Sequence, residues 1–317
     1  MVPSRPPMCS RVRKLVALTV FGFVCLFLYH SWGISFILHQ PVQFPPPKAP
    51  IPKTIWHKLG PRGLSDQARN LTDSCGPKNP GYKAEFLTDE RSESWVRTTY
   101  ASRPDVVEGY LALSAPIFKA DLLRYLLLFA AFGGIWSDLD VSCEEIPIDD
   151  WISPEYKADA SLVVGWEFDV GRGKAIIHQL NSWMILARPG LPYMMTAIED
   201  ILQSLHDVAS RNNVAISNVT LGMVGDVVDF TGPRRLTRSV FKALQQTLNA
   251  TDAEFRPVEE STWFITEPKL VADVLVLPGF AFASSMNTYE KTDVVGPPLV
   301  THHYAGSWKN DHGGEDV

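Results

Sequence analysis

Asp138 and Asp140 stand one residue apart in the apolar run FGGIWSDLDV, residues 132–141. Along a strand, residues i and i+2 point to the same face. Two carboxylates on one face repel each other, and burying them is costly without a positive partner. A D-x-D triplet is a weak signal by itself, because on a solvated face or turn it needs no partner. The apolar setting argues against a solvated loop here. The pair therefore asks for a cation, either bound or on a side chain.

Two further sets of residues bear on that cation. Asp121 and Arg124 lie at i and i+3 in PIFKADLLRYLLLFAAFG, residues 116–133, and share one face of the expected helix. They form either an internal salt bridge or contacts to a polar ligand. Buried ion pairs add little net stability, which favours the ligand. Near the other end of the chain is THHYAGSWK, residues 301–309. Oxygen donors with an imidazole suit Mn²⁺ or Mg²⁺. No CxxC or Cys/His array argues for zinc. A glycoside hydrolase also needs two carboxyl groups. It needs neither a metal histidine nor the Asp121/Arg124 pair.

The elements around these residues read as alternating strands and helices. IPKTIWHKLG, residues 51–60, reads as a short strand between proline and glycine. Pro116 suits a helix start and Gly133-Gly134 a stop. IWSDLDV, residues 135–141, reads as the next strand, followed by strands over 160–168 and 182–187. From Pro192 the apolar positions recur at helical spacing, and residues 235–248 form an amphipathic helix. VADVLVLPG, residues 271–279, is a late strand segment. This order predicts an α/β fold with a mainly parallel sheet. Ligands of such sheets sit beyond the carboxyl ends of the strands.

The chain has 317 residues, of which 45% are hydrophobic and 20% charged, and a net charge of −6. That gives no basis for nucleic-acid binding. Residues 1–14, with Arg11, Arg13 and Lys14, read as a cytosolic tail. Residues 15–38 read as a transmembrane signal anchor, the alternative being a cleaved signal peptide. Residues 39–53 are proline-rich and read as a stem, leaving 54–317 as a lumenal domain. Sequons at Asn70, Asn218 and Asn249 agree with that compartment. Of the four cysteines, Cys75 and Cys143 lie in the globular part, either paired or as free thiols.

IPKTIWHKLG, FKADLLRYLLLFAAFGGIWSDLDVSCEEIP, HQLNSWMILARPGLPYM, TGPRRLT and HHYAGSWK occur in this order. Together they resemble glycosyltransferase family 32, on its fungal initiation-specific α-1,6-mannosyltransferase-like branch. The likeness spans residues 51–309, and the D-x-x-R-Y…G-G-x-x-x-D-x-D block is its specific element. It implies a GT-A-type (Rossmann-like) nucleotide-sugar transferase domain, a divalent cation, Mn²⁺ or Mg²⁺, and retention of anomeric configuration.

By that resemblance the metal is held by Asp138 and Asp140, with the terminal histidine matched to His303 ahead of His302. Asp121 and Arg124 contact the donor sugar, Trp56 the nucleotide base, and Trp308 and Lys309 the donor phosphates or sugar. The implied donor is GDP-mannose and the acceptor an N-glycan or glycolipid. Its alternatives are a UDP-galactose donor, or an inactive subunit of a Golgi transferase complex. The implied site of action is the Golgi membrane, as a single-pass type II protein. His57-Lys58 stand where the family often has Gln-Thr. Glu167, Asp169, Gln179 and Asn181 are polar residues near strand ends that could flank the acceptor or be ordinary loop residues.

Overall fold

The computed structural model describes residues 50–130, 133–171 and 177–306. The expected tail, the anchor and nearly all of the stem lie outside these residues, as do Trp308 and Lys309. Among the described residues no helix is long and apolar enough to cross a membrane.

The strands are β1 (Thr54–Lys58), β2 (Lys83–Leu87), β3 (Gly134–Ser137), β4 (Val141–Cys143), β5 (Leu162–Phe168), β6 (Gln179–Leu180), β7 (Met184–Ala187), β8 (Lys269–Val271), β9 (Val274–Leu277) and β10 (Val300–His302). The central sheet has the order β2-β1-β3-β7-β5-β9-β8, with β6 added to β5. β2, β1, β3, β5 and β9 run in one direction. β7 runs against both its neighbours, β3 and β5, and β8 against β9. The α/β reading holds, and the sheet is rich in parallel strands. It is nevertheless mixed, because β7 enters from a short connection rather than a helical crossover.

Strand alternation splits the core into two layers. Trp136, Leu162, Val164, Trp166 and Ile185 pack on one face against the helices Pro116–Phe129, Pro192–Asn212 and Pro233–Thr247. Ile55, Ile135, Val163, Met184 and Leu186 pack on the other face with Val141, Trp151 and Phe282. The Pro116–Phe129 helix starts at proline and is buried along most of its length. Two glycines then turn the chain into β3. Gly134 has φ 106°, and a Cβ there would lie 2.7 Å from the Thr54 carbonyl, so only glycine fits.

Two strand expectations change. IWSDLDV is not one strand: β3 ends at Ser137 and Asp138–Asp140 make a turn. The chain there leaves the central sheet, and β4 pairs instead with β10. VADVLVLPG is a tight hairpin rather than a single strand, turning at Ala272 (φ 51°). A disulfide joins Cys75 to Cys143. It ties the end of the Asp66–Asp73 helix to β4, just past the aspartate turn.

Candidate active site

A cavity of about 450 Å³ opens at the carboxyl ends of β1, β3 and β5. Asp121, Arg124, Asp138, Asp140 and His302 all line it. Four of these, Asp121, Arg124, Asp138 and Asp140, are expected from the sequence, and the fold joins them to His302 from a distant part of the chain.

Arg124 is the charged centre of this wall, with its side chain 3% exposed. Its Nη2 lies 2.6 Å from Asp121 Oδ1 and 3.6 Å from Asp138 Oδ1. Its Nη1 donates to the Ser182 carbonyl at 2.5 Å. The guanidinium also lies 5.1 Å from the Trp136 ring centroid. Asp121 accepts from Thr231 Oγ1 with its other oxygen, at 2.7 Å. Burial pushes the Asp121 carboxyl up, against the pull of Arg124 and Thr231. Burial opposes the charge on Arg124, but Asp138, Asp121 and Asp140 outweigh it and raise its pKa. The salt bridge and the ligand contact are therefore not exclusive: Arg124 is paired and also lines the cavity.

Asp138 is oriented from its own strand. Trp136 precedes it by two residues, on the same face, and donates its indole N–H to Asp138 Oδ1 at 2.6 Å. The Asp138 side chain is 31% exposed, and no hydrogen bond engages its Oδ2 among the described residues. Asp140 is more enclosed. His302 Nε2 lies 3.2 Å from its Oδ1, and the Ala305 N–H donates to Oδ2 at 3.0 Å. Burial raises the Asp140 carboxyl, but His302 and these N–H groups outweigh it and hold it below the usual range.

The His303 N–H donates to the Asp140 carbonyl at 2.8 Å, but its ring does not reach the Asp140 carboxylate. His303 lies just past β10, is exposed, and pairs through Nε2 with Ser142 Oγ at 2.9 Å. His302 pairs in register with Val141, next to Asp140, and its ring rather than that of His303 faces the Asp140 carboxylate. Its ring is stacked on Trp183 at 4.2 Å, which fixes its direction. Trp56 is also displaced. Its indole donates back to the Gly133 carbonyl at 2.8 Å, at the amino end of β3. Lys58 at the end of β1, with Leu59 and Gly60 just past it, lines the cavity instead. Lys58 Nζ lies 3.0 Å from Asp89 Oδ1 there. The His57 ring is stacked on Phe86 (4.8 Å), with Nδ1 on the Ser137 carbonyl at 2.8 Å. It braces the end of β3 just before Asp138.

Of the acceptor candidates, Glu167 and Gln179 line the cavity. Asp169 is buried and accepts from the Phe264 N–H at 2.9 Å. Asn181 is fully buried, and among the described residues its side-chain amide has no hydrogen-bond partner. Ser182 and Trp183 also line the cavity and are missed by sequence reasoning. Their only local signal is the apolar strand that follows them.

Among the described residues no three His, Cys, Asp or Glu side chains form a ready-made metal cluster. Two carboxylates and an imidazole in an oxygen-rich cavity nevertheless fit a hard divalent cation. Such an ion is held by one or two carboxylates and completes its shell with phosphate and water oxygens. The unengaged Oδ2 of Asp138 leaves a donor for it.

Residues 65–158 match the family described as glycosyltransferase sugar-binding region containing DXD motif. An initiation-specific alpha-1,6-mannosyltransferase of Candida albicans is 31% identical over 295 residues, 85% of this chain and 75% of its own. One of Schizosaccharomyces pombe is 32% identical over 278 residues, 84% of this chain and 66% of its own. A shorter likeness, 31% over 94 residues and 30% of this chain, is to the mannosyl phosphorylinositol ceramide synthase CSH1 of Saccharomyces cerevisiae. The chain is thus a glycosyltransferase, and it belongs to the DXD-motif family, family 32, that includes the initiation-specific α-1,6-mannosyltransferases.

Proposed function

We propose that this protein is a retaining α-mannosyltransferase. It moves mannose from GDP-mannose to a glycan acceptor, with Mn²⁺ or Mg²⁺ held by Asp138, Asp140 and His302. The observation that carries this reading is the convergence of those three side chains and the Asp121–Arg124 pair on one cavity. The likeness to α-1,6-mannosyltransferases over 85% of the chain supports a mannose donor.

The ion, when bound, supplies Lewis-acid stabilisation of the departing nucleoside diphosphate. The rest falls to the chain. Trp136 holds Asp138 by one oxygen, which leaves the other for the ion. Trp183 holds the His302 ring by stacking. Arg124 is fixed before the donor arrives, by Asp121 on one side and the Ser182 carbonyl on the other. A preorganised charge of this kind acts on developing negative charge without reorganising. Thr231 completes the hydrogen bonding of Asp121 and so holds the arginine indirectly. Trp308 and Lys309 remain proposed contacts to the donor from outside the described residues.

The reading includes a Golgi membrane location, type II, with the catalytic domain lumenal and a place in a Golgi transferase complex left open. The disulfide agrees with an oxidising lumen. Asn70, Asn218 and Asn249 are all exposed, as glycosylated asparagines must be. The likeness to a ceramide-modifying enzyme favours a second reading, a glycolipid acceptor with the same donor site. It covers only 30% of the chain, so the glycan reading is preferred.

The test is turnover of GDP-mannose, UDP-galactose and UDP-glucose by the full chain, with and without Mn²⁺, with an α-mannoside present. Metal-dependent use of GDP-mannose alone is expected. Use of a UDP-sugar instead replaces the donor, and a folded protein that turns over no donor is the inactive subunit.

A further inference from the structure

With the Trp56 indole turned back to Gly133, any polar contact to the nucleotide base has to come from another group. β2, β1 and β3 are neighbouring parallel strands. Their registers pair Leu87 with Lys58, and Trp56 with Trp136. Asp89 lies two residues past Leu87, Lys58 two past Trp56 and Asp138 two past Trp136. One charged residue therefore stands at or just past the carboxyl end of each strand, and all three line the cavity. Lys58 is also one of the two residues with which the chain departs from the Gln-Thr that the family often has.

Lys58 and Asp89 are an ion pair, with Nζ 3.0 Å from Oδ1. The lysine side chain is 8% exposed, a burial that lysine accepts only when paired. Nζ also donates to the Leu59 carbonyl at 2.5 Å. An ammonium has three N–H donors, and a carboxylate has two acceptor oxygens. Among the described residues, one donor of Lys58 and the Oδ2 of Asp89 thus have no partner. The Asp89 side chain is 38% exposed. Pro116, Ile117 and Ala120 add an apolar stretch to the same cavity, from the first turns of the Pro116–Phe129 helix. Lys119 Nζ, 2.6 Å from Glu93 Oε1, ties that helix to the Asp89–Thr99 helix.

A phosphate suits the pair poorly, because Asp89 cancels the charge of Lys58 and repels an anion. A flat heterocycle with apolar faces and a polar edge suits both the pair and the apolar stretch. We infer that Lys58 and Asp89 read the base of the donor and select guanine over uracil. Guanine carries an acceptor, O6, beside two donors, N1–H and the 2-amino group. O6 takes the open donor of Lys58, and the two N–H groups take the Asp89 carboxylate. Uracil has carbonyls on both sides of its single N–H, so its second carbonyl faces the carboxylate and is repelled. The inference rests on the transferase reading, with the donor diphosphate at the aspartate turn. It names the residues that make GDP-mannose rather than a UDP-sugar the donor.

The test is calorimetric binding of nucleoside diphosphates to the full chain with Mn²⁺ present. GDP is expected to bind at least about 100-fold tighter than UDP. Inosine diphosphate, which lacks the 2-amino group, is expected to bind about tenfold weaker than GDP. 2′-Deoxy-GDP is expected to bind as GDP does. Asp89→Asn keeps the size of the side chain but turns one acceptor into a donor. It is expected to weaken GDP about tenfold and to bind xanthosine diphosphate, whose 2-carbonyl accepts from that donor, more tightly than the native chain does. A native chain that binds UDP as well as GDP, or binds neither, overturns the inference. So does an Asp89→Asn chain with the native ranking of GDP and xanthosine diphosphate. Weakened 2′-deoxy-GDP beside unchanged inosine diphosphate moves the pair to the ribose and also overturns it. Mannose transfer from GDP-mannose is measured in parallel. Guanine selection through Asp89 without transfer overturns the transferase reading and leaves the base site standing, and transfer without that selection does the reverse.

Discussion

His302 pairs with Val141 in the β4–β10 ribbon, and this pairing sets its Nε2 3.2 Å from Asp140 Oδ1. A strand from the end of the chain thereby completes a site begun by the aspartate turn. One residue further on, His303 bonds to Ser142 and stays exposed. Exchanging the two roles makes a direct test. His302→Ala is expected to lower transfer about 100-fold and to raise the Mn²⁺ concentration for half-activity. His303→Ala is expected to leave both within a factor of about two, since exposed substitutions away from such sites are near neutral. The opposite ranking in a metal titration returns the role to His303.

Asp138→Asn keeps the shape of the side chain but removes its charge. Transfer is expected to fall by at least about 100-fold, with the thermal midpoint little changed because the side chain is partly exposed. Normal turnover with the native metal dependence removes Asp138 from the site.

Arg124→Ala is expected to harm both stability and activity. It leaves Asp121 buried without its counter-charge, a change that costs about 3–5 kcal/mol in comparable pairs. The double variant Arg124→Met, Asp121→Leu should recover much of the denaturation midpoint without recovering transfer. Recovery of both means that the pair is structural only.

The disulfide closes a separation of 68 residues and anchors β4 beside the aspartate turn. The chain-entropy account gives a bridge of that span on the order of 4 kcal/mol. Cys75→Ser with Cys143→Ser should therefore lower the denaturant midpoint clearly. It should also raise the metal requirement, because β4 carries the register of His302. A variant with native metal affinity limits the bridge to global stability.

His57 titrates far below its ordinary value: burial pushes it down to about 4, against the hydrogen bond to Ser137. Between about pH 6.5 and that value the unfolded chain binds a proton that the folded protein does not. Stability is fully present above about pH 6.5 and is lost as pH falls through the window, by up to about 3 kcal/mol. His57→Gln should flatten the slope of unfolding free energy over pH 4–6.5. An unchanged slope assigns the acid sensitivity to other groups.

The sequence alone determined the α/β order, the aspartate pair, the Asp121–Arg124 spacing and the family. These depend on residue type and short-range periodicity, which are properties of contiguous segments. Non-local pairing decided the rest. The same alternation in IWSDLDV suits one long strand, yet the chain changes sheets after Ser137, so the aspartates sit in a turn. That the ring of His302 rather than His303 faces Asp140 is a one-residue register of β10 on β4, and a one-residue slip would exchange their faces. Trp56 points to the amino end of β3 because of where it lies in a parallel pair with Trp136, which no local pattern encodes. Cysteine spacing leaves a bridge and two thiols equally open, and only the packing of β4 on the Asp66–Asp73 helix brings the sulfurs together. Side-chain chemistry is written along the chain, whereas the direction in which each side chain points depends on which distant strand lies beside it.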